Sequence, residues 1–230
     1  MVTAQQWLDV VTNNLANAST NGFKKDGLAF GDGLVRELAA NAGAGQRIGS
    51  LGSGSTVQTQ YTDFSPGVIN TTGNALDLAI NQEKGAFAVQ TKAGLKYSRD
   101  GALQINPDRQ LVTKTGNLVL NRQLQPIVVP QGKISVTEDG TVKVDDKAID
   151  QIGVFDGSFA KEGGGVFRCT NPTLLDKPMI KSGALEASNV STIDEMIAMI
   201  RINRSFELAQ RTVQSQDDTT QRLINSLEGK

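Results

Sequence analysis

The sequence predicts an α+β protein, with a coiled-coil-like helical domain formed by both termini and a central all-β domain. Apolar residues recur at helical spacing near each end of the chain, whereas short alternating runs separated by turn residues fill the middle. We therefore expect residues 1–30 to form an N-terminal helix and turn and residues 31–67 an extended Gly/Ser-rich connector. Residues 68–185 would form the β domain, and residues 186–230 the long C-terminal helix.

The N-terminal segment predicts one amphipathic helix. Its apolar positions follow steps of four and three residues: Ala4, Leu8, Val11, Leu15 and Ala18. The pair Asn21-Gly22 supplies the left-handed residue that closes a helix end. A helix this short is marginal alone in water, so it needs the C-terminal helix or a neighbouring chain.

The connector is marked by its glycines and serines. Gly43, Gly45 and Gly49 resemble a dinucleotide loop only superficially, because no strand precedes them and no helical pattern follows. This composition is typical of a pliable linker.

The central region predicts antiparallel strands with turn signals about every ten residues. Residues 134–144 read as a hairpin closed by Glu138-Asp139-Gly140, and we expect Asp100-Gly101 to turn between strands at 96–98 and 103–105. Their spacing favours an open or barrel-like all-β domain.

The C-terminal helix carries the strongest periodicity in the chain. Steps of three and four alternate along Met199, Ile202, Phe206, Ala209, Val213, Gln216, Thr220, Leu223 and Leu227, which is a heptad seam. Thr192 and Glu195 fit a capping box at its start. Heptads sustained over roughly 55 Å of helix usually pack against another helix.

Composition excludes several functions. A net charge of −1, with no basic cluster larger than Lys24-Lys25, argues against nucleic-acid binding. We expect no membrane insertion, since the chain lacks a long apolar stretch, and export without a cleaved signal peptide, since no such segment begins it. With no histidine and the single cysteine Cys169, the sequence predicts neither an enzyme nor a metal or cofactor site.

Motifs at both ends and in the middle resemble one family. Residues 13–17 and 21–24 (Asn-Asn-Leu-Ala-Asn, then Asn-Gly-Phe-Lys) resemble the N-terminal signature of bacterial flagellar rod and hook proteins, and residues 185–190 with 204–207 resemble the C-terminal one. Between them, residues 72–80, 97–101 and 111–116 occur in family order. The chain is similar to basal-body rod proteins of the FlgF and FlgG kind.

The resemblance implies a structural subunit of the bacterial flagellar rod, assembled into a helical tube that transmits torque and surrounds the export channel. Its partners would be copies of itself and other rod proteins, with hook-side rod subunits and surrounding ring proteins as further candidates. Its location would be the periplasm-spanning rod of the basal body. The expected assembly-interface residues are Leu8, Val11, Asn14, Leu15, Asn17, Asn21, Gly22, Phe23, Asn189, Val190, Met196, Met199, Ile202, Arg204, Phe206, Val213 and Leu223.

Two alternatives stay open at this point. A distal-rod subunit fits almost as well as the favoured proximal-rod subunit, because Gly49–Gly54 also suits a distal-rod connector. A second class is a β module that binds cell-wall glycan or a ring protein, with the helices as a dimerisation handle. Clustered exposed aromatics would favour that module, but Trp7, Tyr61 and Tyr97 are scattered in the sequence.

Overall fold

A computed structural model describes residues 2–32, 35–39, 47–52 and 55–228. Over these residues the chain is mostly β, with two helices and eighteen strands. The helices are α1, Val2–Ala16, and α2, Thr192–Glu228. The strands are β1 Lys25–Asp32, β2 Val35–Ala39, β3 Arg47–Gly52, β4 Ser55–Asp63, β5 Ile69–Thr71, β6 Leu78–Ile80, β7 Ala86–Thr91, β8 Gly94–Ser98, β9 Leu103–Ile105, β10 Leu111–Thr113, β11 Leu118–Val119, β12 Ile134–Val136, β13 Thr141–Val144, β14 Lys147–Gln151, β15 Val154–Gly163, β16 Val166–Leu174, β17 Ile180–Ser182 and β18 Ala184–Glu186.

The chain forms two compact units. The first, here the helical unit, comprises Met1–Leu15, Asp26–Tyr61 and Ser191–Lys230, and the second, here the β unit, comprises Ala16–Lys25 and Thr62–Val190. In the helical unit β1 pairs with β4 and β2 pairs antiparallel with β3. Each unit is therefore assembled from segments that are distant in sequence. The four-part division at residues 30, 67 and 185 stays a prediction.

The β unit is built on a seven-stranded antiparallel sheet in the order β15-β16-β8-β7-β11-β10-β9. Because β15 also pairs with β7, through Val154 opposite Phe87, the strands β7, β8, β16 and β15 close on one another. The hairpin β12-β13-β14 and the pairs β6-β17 and β5-β18 complete the unit. The prediction of a central β domain is confirmed.

Two apolar clusters fill the β unit. The larger includes Leu78, Phe87, Leu111 and Ile127, all almost fully buried. The smaller lies inside the closed strands, where the Tyr97 and Phe155 rings stand edge to face at 5.9 Å. Alternation along the strands supplies these inward side chains, as the sequence pattern predicts.

The two predicted turns have different outcomes. The 134–144 hairpin is present as β12 and β13, with Gly140 at φ +83° in the turn. The turn at Asp100-Gly101 does not join paired strands, because β8 pairs with β7 and β16 while β9 pairs with β10. Gly101 instead lies against β6, where an added Cβ would come within 1.7 Å of the Leu78 carbonyl oxygen.

The prediction of a coiled-coil-like domain formed by both termini is wrong. Strands dominate the described chain, α1 ends at Ala16, and the α2 seam positions Phe206 and Val213 are exposed to 39% and 48%. A heptad period indicates that a helix has an apolar stripe, but it does not identify the surface that covers the stripe. Equal periods at the two ends were therefore insufficient evidence that the ends pair.

Neither α1 nor α2, over the residues the structure describes, is both long and apolar enough to cross a membrane.

Candidate assembly interface

The helix α2 exposes apolar side chains along most of its length. Its first turns present Ile193, 71% exposed, with Met196, Ile197 and Ile200, and further along come Phe206, Leu208, Val213 and Ile224. At about 100° per residue, Phe206, Val213 and Ile224 share one face of α2, here called the stripe, whereas Ile193, Met196, Ile197 and Ile200 lie on a different face with Leu208 nearest to them. Exposed apolar surface of this kind marks an interaction site. Among the residues predicted for an interface, Met196, Arg204, Phe206 and Val213 are exposed and Met199 is half-buried. The Leu223 side chain lies outside the described structure.

Ile202 differs from its neighbours on the seam. Its side chain is only 2% exposed. The seam predicted for α2 is therefore not exposed throughout.

The start of α2 is fixed by polar contacts within the helical unit. Ser191 is the cap, since its Oγ accepts the Asp194 N–H at 3.4 Å, one residue before the position predicted for the capping box. The Glu195 carboxylate, predicted to complete that box, is buried and accepts a hydrogen bond from Asn14 Nδ2 at 3.4 Å. Sequence reasoning missed this role for Glu195.

Asn14 is itself buried, and its side-chain amide bonds to the backbone of Asp26 as a neighbouring strand would. Its Oδ1 accepts the Asp26 N–H at 3.0 Å, and its Nδ2 donates to the Asp26 carbonyl oxygen at 2.9 Å. One side-chain amide thus satisfies both backbone groups of a buried residue in β1. Nearby on α1, Val11 is buried, while Leu8 and Leu15 are half-buried.

The N-terminal motif after α1 lies in the β unit. Gly22 has φ +66°, as the helix-closing pair predicts, and donates its N–H to the Glu186 carbonyl oxygen at 2.8 Å. Phe23 is buried with the Lys161 Nζ 3.6 Å from its ring centroid, a cation–π contact. Asn17 and Asn21 are half-buried.

Asn189 joins the C-terminal motif to this region. Its Oδ1 accepts the Lys25 N–H at 2.8 Å, and its Nδ2 donates to the Asp63 carbonyl oxygen at 2.9 Å. Val190, beside it, is half-buried. The structure therefore brings Gly22, Phe23 and Asn189 together, although they come from opposite ends of the chain.

A buried ionic cluster is the principal feature that sequence reasoning missed. Glu186 accepts Lys24 Nζ at 2.6 Å and Arg99 Nη1 at 3.0 Å, and all three side chains are nearly inaccessible to solvent. Burial lowers the pKa of Lys24, and the hydrogen bond to Glu186 opposes that effect in part. The available signal was that all three charges lie inside motifs that resemble the family, with Glu186 among uncharged residues at 185–190.

The described residues hold no group of three or more His, Cys, Asp or Glu side chains placed for a metal ion. Cys169 is half-buried in β16, and burial raises the pKa of its thiol, which disfavours the nucleophilic thiolate.

A compact β unit and a helix with exposed apolar side chains are features of a structural protein that acts by binding other proteins. Comparison with known families identifies which one. Residues 1–24 match the family described as Flagella basal body rod protein, residues 79–144 the Flagellar hook protein FlgE/F/G D1 domain, and residues 181–227 the Flagellar basal body rod FlgEFG protein C-terminal.

Relatives match over nearly the whole chain. The chain is 33% identical to the flagellar basal-body rod protein FlgG of Bacillus subtilis, covering 96% of this chain and 93% of that protein. Identity to the basal-body rod protein FlgF is 31% in Caulobacter vibrioides, over 98% and 94% of the two chains, and 33% in Escherichia coli, over 93% and 89%.

The chain belongs to the flagellar basal-body rod protein family. The family resemblance predicted from the motifs is confirmed. The protein is a structural subunit of the flagellar rod in the basal body, and it is not an enzyme.

Proposed function

We propose that this subunit assembles with copies of itself and with other rod proteins into a helical tube that transmits torque and surrounds an export channel. The exposed apolar stripe on α2 is the observation that carries the proposal. In the same proposal the chain is exported without a cleaved signal peptide. Hook-side rod subunits and ring proteins are further candidate neighbours.

The energetics favour assembly through α2. Full burial of one fully exposed large apolar side chain stabilises by about 1.5–3 kcal/mol. Because Ile193, Phe206 and Val213 are already partly covered, burial of the exposed apolar side chains of α2 together is needed to offset the estimated 4–15 kcal/mol that association costs. Repetition of the same contact along a tube adds further burial for each subunit. Rigidity then follows from many modest contacts rather than from a single strong one.

The proposed interface residues divide into two groups. Met196, Met199, Arg204, Phe206 and Val213 would contact neighbouring subunits directly, because each is at least partly accessible on α2. The buried members instead would shape the surface by fixing the chain beneath it; they are Val11, Asn14, Gly22, Phe23 and Ile202.

The test uses paired substitutions on α2. Phe206→Asp with Val213→Asp places two charges on the stripe, and we expect loss of motility in a strain carrying this variant as its only copy. The purified variant should keep the circular dichroism of the original chain, because neither side chain is in the core of a unit.

The matched control is Thr212→Asp with Thr219→Asp. These exposed residues have the same seven-residue spacing and face a different side of α2. The control should swim normally. Normal motility of the Phe206 and Val213 variant, or equal loss in both, would contradict assembly through the stripe.

We also propose that the subunit occupies the proximal rod, as FlgF-type proteins are expected to. The segment Ser182–Asn189 supports this position. FlgF and FlgG relatives match at similar identity, so complementation must decide. Rescue of a strain lacking FlgF but not of one lacking FlgG supports the proximal rod, and the reverse result supports the distal rod.

A further inference from the structure

The Glu186 carboxylate joins four separate segments of the β unit. Besides Lys24 and Arg99 it accepts the Gly67 N–H, at 2.9 Å from Oε1. Lys24 belongs to the segment after α1, Gly67 precedes β5, Arg99 follows β8 and Glu186 ends β18. One side chain thus connects residues 162 positions apart in sequence.

Among the residues that the structure describes, neither cation contacts a second carboxylate directly, although Asp63 attracts Lys24 electrostatically. Lys24 Nζ donates its other hydrogen bond to the Ser65 carbonyl oxygen at 2.8 Å, and Arg99 Nη2 donates to the carbonyl oxygens of Gln82 at 3.0 Å and Glu83 at 2.6 Å. Backbone carbonyls satisfy donors but carry no full negative charge. Two buried positive charges therefore depend on one buried negative charge.

Backbone contacts also hold the N-terminal segment, residues 16–25, beside Glu186 and Arg99. The Gly22 N–H donates to the Glu186 carbonyl oxygen, and a Cβ at Gly22 would lie 2.3 Å from the Arg99 carbonyl carbon. On its other side β18 pairs with β5, Glu186 standing opposite Ile69. Loss of the ion cluster would therefore loosen both terminal segments, residues 16–25 and 184–190, together.

We propose that Glu186 is a latch that holds both terminal segments on the β unit by neutralising charge on Lys24 and Arg99, so that losing its charge while both cations remain releases the segments together and leaves the rest of the unit folded. The latch closes only when β18 is in place, because β18 carries the shared counterion. The N-terminal segment is consequently docked by a residue that the ribosome adds late in synthesis. The proposal does not depend on the mode of rod assembly.

The experiment measures hydrogen exchange in the full chain carrying Glu186→Gln. Glutamine keeps the shape but removes the charge, so both cations are left without a counterion. We expect the amides of Gly22, Gly67 and Ala187 to exchange roughly a hundredfold faster, with no change in the β12–β13 hairpin. The control is Glu162→Gln, which breaks the surface ion pair with Lys96 and should leave all these amides unchanged.

A second variant separates the latch from a general loss of stability. Lys24→Met combined with Glu186→Gln restores the net charge of the cluster, so exchange at the three amides should return to within about tenfold of the original chain. If Glu186→Gln alone does not fold, recovery of a folded chain in the double variant supports the latch. Absence of selective release, a uniform increase across the β unit, or failure of the double variant to recover protection would overturn it.

Discussion

Phe87 in β7 and Phe206 in α2 are the same side chain in opposite surroundings. Phe87 is fully buried in the larger cluster of the β unit, whereas Phe206 is 39% exposed on a helix whose apolar neighbours are exposed as well. The β unit buries its large apolar clusters within the chain itself. The helix α2 leaves much of its stripe for a partner, so its contribution to stability appears on association.

The polar groups follow the same contrast. In the β unit three buried charged groups are held by direct ion pairs and backbone hydrogen bonds. Along the later part of α2 the threonines are exposed, and Thr212, Thr219 and Thr220 donate to carbonyl oxygens four residues earlier in the same helix. The described part of α2 beyond Ile202 is thus sustained mainly by its own backbone.

The largest expected effect tests this contrast directly. Phe87→Ala should lower the free energy of unfolding by about 3–5 kcal/mol, because it removes a buried ring and leaves a cavity. Val213→Ala on α2 should change it by less than about 0.5 kcal/mol in the dilute monomer. Urea denaturation followed by fluorescence and circular dichroism measures both, and equal losses would break the comparison.

A smaller effect is expected at Gly101, where the β unit packs backbone against backbone. Gly101→Ala should cost about 3 kcal/mol, because its Cβ would meet the Leu78 carbonyl oxygen at 1.7 Å and the backbone must shift. Gly73→Ala is the control: Gly73 has φ +78° but open space around it, so only conformational strain of about 1 kcal/mol applies. Thermal unfolding measures the stability of both variants. A smaller loss for Gly101→Ala than for Gly73→Ala would contradict the close packing of Gly101 against Leu78.

The smallest effect concerns Asp139 in the turn of the β12–β13 hairpin. Hydrogen bonds from the Thr137 and Thr141 hydroxyls hold the pKa of Asp139 below its ordinary value. The folded state binds this proton more weakly than the unfolded chain does. The resulting stability is therefore complete above the unfolded pKa near 3.8 and is lost as pH falls through the lower folded pKa.

Asp139→Asn should accordingly cost about 0.5 kcal/mol or less at neutral pH, since the side chain is exposed and solvent screens it. The difference from the original chain should vanish in acid. Thr137→Val removes the hydroxyl that contributes most, so adding it to Asp139→Asn should produce little further loss. Urea denaturation at pH 7 and at a series of lower pH values provides the comparison, and a difference that did not shrink as pH fell below 3.8 would refute the role of the charge.

Local patterns in the sequence predicted the parts of this protein that depend on neighbouring residues. Helical periodicity predicted α2, alternation with a Gly turn predicted the β12–β13 hairpin, and ordered motifs predicted the family. The Ser191 cap was missed by one residue because Ser191 and Thr192 are both good caps. The partner of the α2 stripe was not predictable, since periodicity does not specify what covers a face.

The sequence by itself determined which segments are helical or extended, because side-chain periodicity and turn residues act over a few positions. Only the tertiary structure decided that Lys24, Arg99 and Glu186 share one buried site, that Asn14 completes the hydrogen bonds of Asp26, and that Gly101 serves close packing rather than a hairpin turn. These contacts join residues far apart in the chain. Their free energy comes from burial and charge neutralisation, which exist only once the segments meet.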